Sequence, residues 1–127
     1  MDVMKKTLYG IGFAGLFLLI TAFTAGHSSP IEGKWVGSFS GTAGAIPVRT
    51  HFWMENDEYK GTMDFPQENI CGVNINWIIV ESSSVHFEVV KDNEALAFDG
   101  KIISNQLVGE FSTKTGRGVF GLSRDGF

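Results

Sequence analysis

A short motif recurs four times: a large apolar residue, any residue, glycine, any residue, and a second apolar residue. It appears as Trp35-Val36-Gly37-Ser38-Phe39, Tyr59-Lys60-Gly61-Thr62-Met63, Phe98-Asp99-Gly100-Lys101-Ile102 and Leu107-Val108-Gly109-Glu110-Phe111. The flanking residues are two positions from the glycine, so in an extended chain all three share one face. A glycine on that face lets a strand bend and leaves room for a neighbouring ring. Repeated along a chain, it predicts strong curvature, because small closed barrels mix large and absent side chains on their concave face.

The surrounding sequence carries the same period of two. Ile46, Val48, Thr50, Phe52 and Met54 alternate up to the turn Asn56-Asp57, and Tyr59 to Phe65 alternate up to Pro66. A longer loop through Cys71 and Gly72 leads to Val73, Ile75, Trp77 and Ile79, and Ser82 to Ser84 turn the chain into Val85, Phe87 and Val89. Asp92-Asn93, Asn105 and Gly116 to Gly118 then separate Leu96–Ile102, Leu107–Phe111 and the last run with Phe120 and Leu122. Alternation broken by turn residues at this spacing predicts an all-β domain of about eight strands. The short sequential connections imply an antiparallel up-and-down barrel or strongly curled sheet, with a β-sandwich as the alternative.

The first residues follow a different logic. Lys5 and Lys6 precede an apolar run from Leu8 to Phe23, and Thr24, Ala25 and Gly26 offer a small-residue exit. This order describes a signal peptide over 1–26 that begins as an apolar helix, followed by a linker over 27–30 and a barrel domain over 31–127. Export to a periplasmic or extracellular space follows from that reading. The membrane becomes a partner only if the N-terminal segment is left uncleaved. Cys71 is the only cysteine, so no internal disulfide can form, and the core alone must hold the fold.

From His27 onward 8 Lys plus Arg face 13 Asp plus Glu, a net charge of −5. A mildly acidic domain with scattered charges lacks the basic footprint of a nucleic-acid binder. His51 and His86 stand singly on strands, and no zinc-ligand spacing or H-E-x-x-H is present. There is no G-x-S-x-G elbow, and Asp64 and Glu110 alternate outward rather than forming a carboxylate pair. The reading is therefore of a chain with no catalytic residues, metal ligands or cofactor of its own.

The inward set contains Trp35, Phe39, Phe52, Tyr59, Met63, Phe65, Trp77, Phe87, Phe98, Phe111 and Phe120. Eight strands enclose either packed side chains or room for one small ligand, and so many large residues favour packing. The alternative, a cavity for a small apolar molecule, predicts a lining of Trp77, Phe87 and Phe98. Outward parity gives Trp53, Ile78 and Val80, which together would make a patch suited to docking a partner.

Two resemblances add to this reading. Gly33-Lys34-Trp35 is similar to the G-x-W opening of the lipocalin and fatty-acid-binding group, in which a basic residue near the chain's end covers the tryptophan. Arg124 has the parity of Phe120 and Leu122, so the resemblance implies a barrel-closing Trp35–Arg124 stack. More broadly, Ile31-x-Gly33-x-Trp35-x-Gly37, Tyr59-x-Gly61-Thr62-Met63-Asp64-x-Pro66-Gln67 and Phe98-x-Gly100 through Gly109-x-Phe111 resemble the N-terminal β-domain of exported bacterial α/β-hydrolases. That resemblance spans residues 31–124 and implies an accessory module whose partner is a serine hydrolase domain of esterase or peptidase type. The chain departs from the pattern at Thr113-Lys114-Thr115-Gly116, and it stops at Phe127, where the hydrolase would begin. The expectation is a free-standing or severed accessory domain, with a lipocalin-like carrier of a small apolar ligand as the alternative.

Overall fold

The computed structural model describes residues 30–41 and 44–125. The proposed signal peptide and most of the linker lie outside the described residues. Among the described residues no helix is long and apolar enough to cross a membrane.

The alternating segments form β1 (Gly33–Gly41), β2 (Gly44–Glu55), β3 (Glu58–Phe65), β4 (Ile70–Glu81), β5 (Ser84–Lys91), β6 (Glu94–Ile103), β7 (Gln106–Ser112) and β8 (Arg117–Arg124). All neighbours are antiparallel, and β8 returns to pair with β1, closing an up-and-down barrel. The turn residues account for this connectivity. Asn56-Asp57 and Asp92-Asn93 have positive φ at both positions. This is the geometry whose twist matches tight hairpins, and Asn and Asp tolerate it well. Pro66–Glu68 make one 3-10 turn between β3 and β4, ending at a left-handed Asn69. Cys71 and Gly72, expected in a longer loop, belong to β4 instead.

The inward face is a single hydrophobic cluster. Trp35, Phe52, Phe65, Phe87 and Phe98 are fully buried, with Phe39, Phe111 and Phe120 packed against them. The repeated glycines let neighbouring strands approach and give the rings their places. A Cβ on Gly37 would run into the backbone carbonyl of Gly121, and one on Gly109 into that of Asp99. Across from Gly109, a Cβ on Gly100 would lie 2.8 Å from the Phe120 ring. The missing side chains are therefore filled by neighbouring backbone and by phenylalanine.

The expected alternation fails on β4. Asn76 pairs with Glu88 and Ile79 with His86, so β4 takes three steps where β5 takes two. The extra residue is a β-bulge, and it reverses the facing of everything beyond it. Trp77, expected inside, sits in this bulge with φ +55° and is 73% exposed. Ile79 turns out with it, while Ile78 and Val80, expected on an outer docking surface, pack against the core.

Candidate functional site

The two ends of the barrel differ. At one end Trp35 is fully buried at the start of β1, and its Nε1 donates to the Ile31 carbonyl at 2.9 Å. The Arg124 guanidinium lies 4.4 Å over the Trp35 ring. Its two terminal nitrogens donate to the carbonyls of Glu32, at 2.7 Å, and Pro30. Trp35 and Arg124 are also direct partners in the β1–β8 ladder. A planar cation that stacks on an indole and forks onto two carbonyls plugs this end and ties the first strand to the last.

The opposite end is open. There the β1–β2 hairpin, the β5–β6 turn and the Thr113–Arg117 segment surround a cavity of about 340 Å³. Its apolar lining comes from Phe39, Ile46, Leu96 and Phe111, and its polar edge includes Lys91, Glu94 and Arg117. Phe39 and Phe111 meet edge to face at 4.8 Å. Lys91 is fixed by Glu68 at 2.8 Å and Asp92 at 2.9 Å, and these hydrogen bonds hold its ammonium pKa above the usual value. Arg117 makes no ion pair among the described residues. Thr113 shapes the neighbouring turn, its hydroxyl accepting from the backbone N–H groups of Thr115 and Gly116.

The expected cavity lining is only partly in place. Phe87 and Phe98 do point inward, but at 0% and 1% exposure they are core beneath the cavity. Trp77 is on the outer surface. Phe39 and Phe111, read from the sequence as general core, form the floor. Leu96, Ile46 and Arg117 were missed as site residues, although for Leu96 and Ile46 a signal was present. Leu96 and Ile46 share the inward parity of Phe98 and Phe39 and lie beside turns, where an inward residue faces the barrel's end.

A second hollow, about 480 Å³, crosses the outer face of β4 to β7 and includes Ile79, His86, Asp99 and Glu110. His86 stands directly across from Asp99 on β6. Its Nδ1 is 2.7 Å from Asp99 and its Nε2 3.0 Å from Glu88. Partial burial lowers the imidazole pKa, but the hydrogen bonds to Asp99 and Glu88 outweigh it and the net shift is upward. These charged groups bind one another, and Ile79, Val85 and Val108 line the hollow beside them. Asp64, on β3, accepts from the Gly72 N–H at 2.8 Å, and Glu110 lies on non-neighbouring β7. Trp53 is half-buried on the outside of β2, bonded to Glu55 at 3.4 Å and 5.0 Å from the His51 ring, so it does not join Ile78 and Val80. Among the described residues no group of three or more His, Cys, Asp or Glu could hold a metal ion.

No family model and no curated protein matches the chain. Among solved structures, a redesigned β-barrel, mFAP1, bound to DFHBI is similar in fold, with a TM-score of 0.52 and 12% identity. The match covers 75% of this chain and 94% of that one. At that identity the similarity concerns the fold: a closed, eight-stranded antiparallel barrel.

Proposed function

We propose that this chain is a small-ligand-binding barrel that takes its ligand at the open end. The observation that carries the reading is the asymmetry of the two ends. One is sealed by Trp35, Arg124 and Ile31, and the other holds a cavity with an aromatic and aliphatic floor and a polar edge. Small-molecule sites combine these features, and the mouths of β-barrels are among their preferred places. The similar redesigned barrel was solved with DFHBI bound, which supports the architecture's capacity for such a role. Export is part of the proposal and rests on Lys5, Lys6 and the apolar run from Leu8 to Phe23. So is a role without catalysis by this chain.

Gly116 supplies the test. It lines the cavity, its φ is outside the left-handed region, and a Cβ built there meets nothing within 4 Å. Gly116→Leu should narrow the mouth without strain in the fold. Native protein titrated with 1-anilinonaphthalene-8-sulfonate is expected to show saturable one-to-one fluorescence enhancement, weakened at least about fivefold in the variant, or about 1 kcal/mol. No uptake by the native protein, or uptake unchanged by Gly116→Leu, would count against the site.

A second reading, docking to another domain such as a hydrolase, is favoured by Trp77. A bulky residue at positive φ is costly, and here the side chain is held 73% exposed. None of the matches bears on a hydrolase.

A further inference from the structure

The identity of the ligand at the open end, on the reading above, is limited by what lies beneath it. Phe39 and Phe111 form the floor, and Phe98 backs both, with ring centres 5.6 Å from Phe39 and 6.0 Å from Phe111. Phe98 in turn stacks on Phe87 at 4.8 Å and meets the Phe120 edge at 5.2 Å. These rings interlock across the barrel, and interiors packed at this density do not admit a guest without displacing side chains. A ligand therefore occupies the mouth and goes no deeper. The mouth's volume of about 340 Å³ is near the lower end of small-molecule sites, which run from roughly 300 to 1,000 Å³.

The edge of the cavity also selects. Lys91 is already neutralised by Glu68 and Asp92, and it rests 5.1 Å over the Phe65 ring. Arg117, at the start of β8, is exposed and carries a charge that no ion pair answers among the described residues. Glu94 lies on β6, two strands away, so an anionic group is favoured on the β8 side. We infer that the mouth accepts a compact amphiphile whose short apolar body rests on Phe39 and Phe111 and whose anionic end meets Arg117. Long single-chain lipids gain nothing beyond the first part of the chain, because the phenylalanine plug stops them.

Calorimetric titration of the native protein with butanoate, hexanoate, octanoate, dodecanoate and hexadecanoate, each below its micelle concentration, reads the depth directly. Affinity is expected to rise about fourfold per added methylene while the chain lies in the mouth, then level off by about octanoate. 4-Phenylbutanoate is expected to bind at least as well as hexanoate. Affinity that climbs steadily to hexadecanoate overturns the depth limit while leaving the binding site intact. Arg117→Gln is expected to weaken octanoate by about tenfold and leave 1-octanol unchanged. Equal loss for both, or for neither, overturns the role of Arg117. If no acid or alcohol binds and the dye does not bind either, the small-ligand reading itself fails. Dye uptake at the mouth without any binding of the acids overturns only the ligand class.

Discussion

Trp77 is where local cost and global fold conflict most openly. An L-residue with a large side chain at φ +55° carries a penalty of about 1–3 kcal/mol, and this side chain recovers little by burial. Glycine adopts the same backbone freely. Trp77→Gly is therefore expected to raise unfolding free energy by about 1 kcal/mol in urea titration. A loss of stability would mean that the indole makes contacts that hold the bulge. Thr50 is a milder conflict: its hydroxyl is buried in the core without a hydrogen-bond partner. Residues such as Trp35, Phe52 and Phe120 could be placed from the sequence because period-two alternation assigns a face directly. Trp77, Ile78 and Val80 could not, since a single inserted residue reverses the facing and nothing in the local composition announces it. The bulge is defined only against the partner strand.

Strand pairs carry the interactions that depend on register. His86 meets Asp99 because β5 and β6 pair without slippage from Ser84 opposite Lys101 to Lys91 opposite Glu94. Burial lowers the His86 pKa, but the bonds to Asp99 and Glu88 win and raise it above its ordinary value near 6.5. The protonated form is thus favoured by folding. Its stabilisation is fully present below about pH 6.5 and disappears as pH rises through the higher folded value. For a partly exposed pair the gain is at most about 1 kcal/mol. His86→Gln is expected to lose this part of the pH slope, so the difference in stability between native and variant should shrink from pH 5.5 to pH 8.5 in parallel urea titrations. A constant difference would show that His86 acts through packing alone. The sequence displayed His86 as a lone histidine on a strand, and only the cross-strand partner gives it a role.

At the scale of the whole molecule, the barrel depends on one seam, β1 against β8. Strand number and curvature were legible beforehand from the turn dipeptides and the glycine motif. The Trp35–Arg124 pair was implied by the resemblance of Gly33-Lys34-Trp35 to a G-x-W opening, with the parity of the last run pointing to Arg124. The open mouth was not, because its lining gathers inward residues from strand ends that are far apart in the chain. Arg124 joins three interactions at the seam: the stack on Trp35 and the two carbonyls of Pro30 and Glu32. Arg124→Ala is expected to cost about 2 kcal/mol, and Arg124→Lys to recover less than half, since an ammonium cannot fork and stack at once. Full rescue by lysine in thermal melts would show that charge alone matters there.

The same seam has a consequence for timing. Every other pairing joins strands that follow one another, so the hairpins can form locally and early. The bond from Arg124 to Glu32 spans 92 positions, and loop-closure entropy makes such contacts slow to form. Until the seam closes, β1 and β8 present unpaired edges that another chain could extend. The plugged end is thus also the clock of the fold: the interval before Arg124 reaches Trp35 is when this barrel is most open to self-association.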